Sequence, residues 1–119
     1  MEIKSHTDIP QSKTLSKILP LESADHCFLN DGTAAKAEIN SYDVAIQLWK
    51  DNYVNIIPCW SLVALLNVLH KPSLYHTLNN GWRCDSFNKK GRYELGPYTD
   101  NPIDACYEMI LKLHKQNLL

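Results

Sequence analysis

Residues 73–87 read Ser-Leu-Tyr-His-Thr-Leu-Asn-Asn-Gly-Trp-Arg-Cys-Asp-Ser-Phe, and this stretch decides the fold. Leu74, His76 and Leu78 alternate with Tyr75 and Thr77, and beyond Asn79-Asn80-Gly81 the residues Trp82, Cys84 and Ser86 alternate with Arg83, Asp85 and Phe87. A period of two puts successive side chains on opposite faces of a strand. Asn-Gly supplies the positive φ angles of a tight turn, so 73–79 and 81–87 are expected as an antiparallel hairpin. Lys89-Lys90-Gly91 suits the next turn, and Arg92-Tyr93-Glu94-Leu95 makes a third strand before Gly96-Pro97 bends the chain.

Downstream, Asn101-Pro102-Ile103-Asp104 opens a helix. Asn101 can accept a backbone N–H as N-cap, Pro102 is preorganised at the first helical position, and Asp104 puts negative charge at the positive end of the helix dipole. Ile103, Cys106, Met109, Ile110 and Leu113 recur at three- and four-residue intervals and form one apolar stripe, with Lys112, His114 and Lys115 at the far end.

Upstream the pattern is helical. Residues 1–10 are polar and mixed and close on Pro10, which reads as a flexible arm. Leu15, Ile18 and Leu19 sit at helical spacing over 12–19, and Pro20 stops that helix. A second short helical segment is expected over 23–28, a turn at Asn30-Asp31-Gly32-Thr33, and a helix over 41–49. Asn55-Ile56-Ile57-Pro58 is extended, because the residue before proline is pushed out of the helical region. Ser61 then caps a helix over 62–69 that is apolar around nearly its whole circumference and so belongs in the core. The expected architecture is α+β: N-terminal helices, then a small antiparallel hairpin or three-stranded sheet packed under a C-terminal amphipathic helix, one domain over 11–119.

Composition narrows the function. The chain has 119 residues, 45% of them apolar, enough for one ordinary core. Twelve Lys and Arg oppose thirteen Asp and Glu, and no run of like charge exceeds Lys89-Lys90, so nothing draws the chain to nucleic acid or an anionic membrane. Cys27, Cys59, Cys84 and Cys106 lie 32, 25 and 22 residues apart, without the paired spacing of a zinc site, so no metal and no cofactor is expected. The N-terminus has no apolar signal region and no stretch approaches membrane-spanning length, which places the expected protein in the cytoplasm.

The segment Ile57-Pro58-Cys59-Trp60-Ser61-Leu62 leading into the leucine-rich helix, the tryptophan-containing hairpin, and Asp100-Asn101-Pro102-Ile103-Asp104-Ala105 together resemble a group of small uncharacterised proteins of gut Bacteroidetes genomes and their prophages and other mobile elements. The resemblance covers roughly 11–115. That group carries no assigned activity, so the resemblance implies a setting and transfers no functional residues.

Candidate chemistry is sparse. His76 and Cys84, about a turn centred on Asn80, are the one nucleophile–base pair that the pattern brings onto one face, which would suit a small cysteine-dependent hydrolase or transferase; a buried structural cysteine is the plainer reading. Cys59 precedes a helix start, where a thiol pKa falls, but lies between Pro58 and Trp60. His26-Cys27 would need two further ligands to hold a metal, and Asp100 with Asp104 is explained by helix capping. Tyr75, Trp82, Phe87, Tyr93 and Tyr98 gather in the hairpin region with Arg83, Lys89, Lys90 and Arg92. Part of that set must line the core. The remainder, Tyr75, Trp82, Arg83, Arg92 and Tyr93, forms a binding surface of the composition found at protein hot spots, a weak single-stranded nucleic-acid platform being the alternative. The expected function is that of a non-catalytic accessory protein binding a host or phage protein, with its oligomeric state open.

Overall fold

The computed structural model describes residues 4–29 and 56–119. The expected turn at 30–33 and helix over 41–49 lie outside the described residues. Contacts group into two units, drawn from 1–5 with 65–119 and from 6–64.

In the 6–64 unit, helix α1 (Ile9–Ser16) starts three residues before its sequence expectation. Asp8 is the cap: Gln11 N donates to its Oδ1 at 2.8 Å and its own N–H donates to Gln11 Oε1 at 3.1 Å, a reciprocal capping box. Pro10 therefore sits inside the first turn, where its missing N–H leaves no bond unmade. The described part of the expected arm carries bonds of its own, since Thr7 is fully buried and exchanges N–H donations with Trp60 through O at 2.9 Å and Oγ1 at 3.1 Å.

The helix expected over 23–28 is not formed. A 3-10 turn (Leu21–Ser23) gives way to strand β1 (His26–Leu29), which pairs antiparallel with β2 (Ile56–Cys59) in the register His26↔Cys59 to Leu29↔Ile56. A six-residue helix would make only one or two internal hydrogen bonds, whereas the ribbon gives each residue a cross-strand partner. Ile57 and Cys59 of β2 form a small core with Ile9 of α1, and the buried Trp60 donates its indole N–H to Ser23 Oγ at 3.0 Å. Helix α2 (Leu62–Val68) is capped as expected, Ser61 Oγ accepting from Ala64 N at 3.2 Å. Its apolar circumference is not all enclosed: Ala64 and Leu65 are buried, but Val63 is 66% exposed.

The 65–119 unit has the α+β arrangement, with four antiparallel strands instead of three. Strand β4 (Gly81–Phe87) is central, with β3 (His70–Thr77) on one side and β5 (Tyr93–Glu94) and β6 (Tyr98–Thr99) on the other. The hairpin loop holds three residues, Leu78 to Asn80, between the pair Thr77↔Gly81, with Gly81 at φ 90° and Thr77 Oγ1 accepting from Asn80 N at 3.0 Å. β6 explains why position 81 is glycine: a Cβ there would stand 2.3 Å from Thr99 O.

Helix α3 (Pro102–Lys115) covers one sheet face. Asn101 caps it by accepting from Asp104 N at 2.9 Å, and Ile103, Cys106, Met109, Ile110 and Leu113 are all buried, the stripe that the spacing marks out. The helix ends where Asn117 enters the left-handed region at φ 58°, with Leu118 N donating to Leu113 O at 2.8 Å and Asn117 N to His114 O at 3.0 Å, a Schellman ending.

Candidate functional site

Alternation along β4 sorts the hairpin residues. Cys84 is fully buried against α3, where its thiol meets that of Cys106; Arg83, Asp85 and Phe87 consequently project from the opposite face. Register adds their neighbours: Tyr75 lies across from Arg83 on β3, Tyr98 across from Arg83 on β6, and Tyr93 across from Phe87 on β5.

These side chains form one cluster around Arg83. Its guanidinium carbon lies 5.0 Å from the Tyr75 ring centroid and 5.3 Å from that of Tyr98, a cation held between two aromatic rings. Nη2 donates to Asp85 Oδ2 at 3.0 Å. Asp85 is wholly buried and takes two further donors, Tyr93 Oη on Oδ2 at 3.2 Å and Gly96 N on Oδ1 at 3.0 Å, so the carboxylate ties β4, β5 and the turn before β6 together. The Tyr75 and Tyr93 hydroxyls are 3.2 Å apart, and Tyr93 meets Phe87 edge to face at 5.1 Å.

The electrostatics describe a patch whose central charges are paired. Burial opposes the charged guanidinium, but the hydrogen bond and charge of Asp85 outweigh it and raise the Arg83 pKa further. The Tyr93 hydroxyl is also raised, first by its hydrogen bond with Tyr75 and then by burial, so it stays protonated and has no tendency to act as a base. Tyr75, Tyr93 and Tyr98 still show 42%, 41% and 41% of their surface to solvent. Beside them, at the Phe87 end, Lys71, Lys89, Lys90 and Arg92 are all exposed.

Of the five surface residues expected from sequence, the structure brings Tyr75, Arg83 and Tyr93 together and separates the other two. Trp82 is on the α3 face, half-buried, with its ring 4.5 Å from that of its cross-strand partner His76. Arg92 sits on the β4–β5 turn, its N–H donating to Asn88 Oδ1 at 3.0 Å, among the cations at the edge of the tyrosine patch. Sequence places Tyr98 among the hairpin aromatics but not on the binding surface, because it lies past Gly96-Pro97, and β6 brings it back beside Arg83. Asp85 is the residue that the sequence reading misses, although its parity with Arg83 marks it.

The nucleophile–base pair is not assembled. The three-residue loop shifts the register by two, so Cys84 faces Leu74 and His76 faces Trp82. Cys84 is enclosed, and the Cys106 thiol is pushed far up by its hydrogen bond with Cys84 and then by burial. Cys59 is likewise fully buried. Asp104 is occupied by capping, accepting from Asn101 Nδ2 at 2.8 Å and pairing with Lys4 Nζ at 2.9 Å.

Asp25, Ser61 and His26 make a second polar cluster. Asp25 Oδ1 accepts from Ser61 N at 2.9 Å and lies 2.8 Å from His26 Nδ1, while the Ser61 hydroxyl donates to Oδ2. Burial raises the Asp25 pKa, but the bonds from Ser61 and His26 outweigh it and lower it overall. A hydrolytic triad needs the serine on the imidazole, which takes its proton; here serine is held by the carboxylate, so the cluster caps α2. Comparison with protein-family models, curated proteins and solved structures finds no match to this chain.

Proposed function

We propose that this chain is a small non-catalytic protein-binding module whose contact surface is the open sheet face carrying Tyr75, Arg83, Tyr93 and Tyr98. The carrying observation is the rigid tyrosine patch: three half-exposed rings held in place by one guanidinium and one buried carboxylate. Tyrosine has two side-chain torsions to immobilise and presents a large amphipathic area, so fixing it before contact lowers the entropic cost of association. Lys71, Lys89, Lys90 and Arg92 at one end of the patch favour a partner with acidic side chains around an apolar centre.

The same geometry weighs against the alternatives. A nucleic-acid stacking sheet needs aromatic faces open to bases, and here Arg83 occupies one face of both Tyr75 and Tyr98. A cysteine-dependent enzyme needs an accessible thiolate beside a histidine, and Cys84 has neither.

The partner is a host or phage protein, and the setting a cytoplasmic accessory role on a mobile element; the resemblance of the hairpin and α3 motifs supports this. Among the described residues no helix is long and apolar enough to cross a membrane, which is compatible with that setting. The test is site-specific photocrosslinking in cells, with a benzophenone side chain at position 98 or at position 82. The proposal expects one discrete protein adduct from 98 and none from 82. Adducts to RNA or DNA at 98, or equal adducts at both positions, contradict it.

A further inference from the structure

The loop between β3 and β4 ends in Asn80, and Gly81 follows it at the start of β4. The side-chain carbonyl carbon of an asparagine and the amide nitrogen of the next residue close a five-membered ring when they bond. Closure is fastest when that next residue is glycine, which has no Cβ to crowd the nitrogen. Asn80 is exposed, and its side chain makes no hydrogen bond among the described residues; only its backbone N–H is fixed, on Thr77 Oγ1 at 3.0 Å. The carboxamide is therefore at liberty to turn toward Gly81 N.

The other described asparagines each lack one of these conditions. Asn67, Asn79 and Asn117 are followed by Val68, Asn80 and Leu118, whose Cβ atoms crowd the nitrogen. Asn88 is 2% exposed, and its carboxamide is tied to Lys90 N, Arg92 N and Glu94. Asn101 precedes Pro102, which has no N–H to lose, and its Oδ1 accepts from Asp104 N. Beyond Asn80 the chain is tightly placed on the β6 side. A Cβ on Gly81 would stand 2.3 Å from Thr99 O, and the neighbouring pairs Trp82↔Thr99 and Arg83↔Tyr98 make up the whole β4–β6 register.

We propose that Asn80-Gly81 is a self-modification site, which converts to isoaspartate in the folded chain and loosens β6 from β4. Gly81 N gives up its proton to hydroxide and bonds to Asn80 Cγ; the Cγ–Nδ2 bond breaks, and ammonia leaves with a proton from water. Water then opens the succinimide. Cleavage between Cγ and the ring nitrogen gives aspartate, and cleavage between the backbone carbonyl carbon and that nitrogen gives isoaspartate, whose main chain runs through Cβ and Cγ and is longer by a methylene group. In sum the residue takes up water and releases ammonia, with no oxidant or enzyme. The longer chain pushes Gly81 against Thr99 O, and the ring of Tyr98 loses its place beside Arg83. The site does not depend on the protein-binding reading, and its test reads the chain alone.

The full chain is incubated at neutral and mildly alkaline pH, folded and in urea, and mapped by peptide mass spectrometry that separates aspartate from isoaspartate at each position. In the folded chain Asn80 is expected to convert ahead of the other described asparagines, at a rate proportional to hydroxide, with isoaspartate as the major product. Asn80→Gln, which keeps the amide but needs a larger ring, is expected to abolish conversion at position 80, its fold checked by the dispersion of the ¹⁵N–¹H spectrum. The isoaspartate form, isolated by ion exchange, is expected to shift the amides of Gly81, Trp82, Tyr98 and Thr99 and to speed their exchange. Asn80→Asp, which adds the charge without lengthening the chain, is expected to leave Tyr98 and Thr99 in place. Conversion confined to urea, another described asparagine converting first, unchanged β6 amides in the isoaspartate form, or the same β6 shifts in Asn80→Asp each overturn the proposal.

Discussion

Replacing Asp85 by asparagine tests whether the buried carboxylate is what holds the tyrosine patch together. The change is nearly isosteric. The amide oxygen can keep the bond from Gly96 N at 3.0 Å, but the new NH₂ group must face Arg83 Nη2 and Tyr93 Oη, both of which now donate to Oδ2. Two donors lose their acceptor and a cation loses its counter-charge. Hydrogen bonds to a charged group contribute roughly 1.5–3 kcal/mol each, and the solvent-facing edge of Arg83 recovers part of that from water, which leaves a loss of about 2–4 kcal/mol. For a chain of this length that corresponds to a fall in Tm of about 10 °C. Urea unfolding followed by circular dichroism reads the free energy, and amide exchange at Gly96 reads the local effect. A loss below about 0.5 kcal/mol, with exchange at Gly96 unchanged, would show that the carboxylate does not organise the face and refute the reasoning.

Other consequences follow from the same geometry. Gly81→Ala combines a left-handed backbone with a Cβ 2.3 Å from Thr99 O, so it should cost more than about 2 kcal/mol, whereas Gly91→Ala, equally left-handed but in open space, should cost about 1 kcal/mol; equal losses in urea unfolding would contradict the β6 contact. Hydrogen bonds from Ser61 and His26 hold the folded pKa of Asp25 below the ordinary aspartate value, so its contribution is complete above the unfolded pKa and is lost as pH falls through the folded one. Stability of wild type should therefore decline below about pH 4 more steeply than that of Asp25→Asn, as thermal melts between acid and neutral pH would reveal. Cys59, Cys84 and Cys106 should be inert to a thiol reagent at neutral pH in a Cys27→Ser background and react together only in urea; rapid labelling of Cys84 in the native protein would revive the cysteine-nucleophile reading.

How far the sequence carries the structure depends on whether the deciding interaction is local. The cap at Asn101, the stripe from Ile103 to Leu113 and the alternation in β4 are written within a few residues of where they act, and all three appear as expected. Asp8 with Gln11 is an equally local capping-box signal, which the reading of 1–10 as an arm leaves out because Pro10 is a first-turn residue and not the end of a polar segment. Strand β1 was different: its partner β2 lies about thirty residues away, and nothing in 26–29 alone announces the pairing.

The site was partly legible for the same reason. Arg83, Tyr75 and Tyr93 follow from composition, but separating Trp82 from them requires the faces of β4, and the two residues Leu78 and Asn79, in the loop instead of the strand, shift every cross-strand pair by two. Tyr98 and the role of Asp85 depend on β6 and on the turn at Gly96, tertiary features without a sequence signature.

The most direct test of the central claim compares three tagged forms of the chain in affinity capture from the native cytosol: wild type, Tyr75→Ala/Tyr98→Ala, and Trp82→Ala, each with its fold confirmed by circular dichroism. The account predicts a stoichiometric protein partner retained by wild type and by Trp82→Ala and lost from the double tyrosine variant, with binding that weakens as salt is raised. A partner retained by the double variant, or lost only from Trp82→Ala, would place the working surface on the other side of the sheet and contradict it.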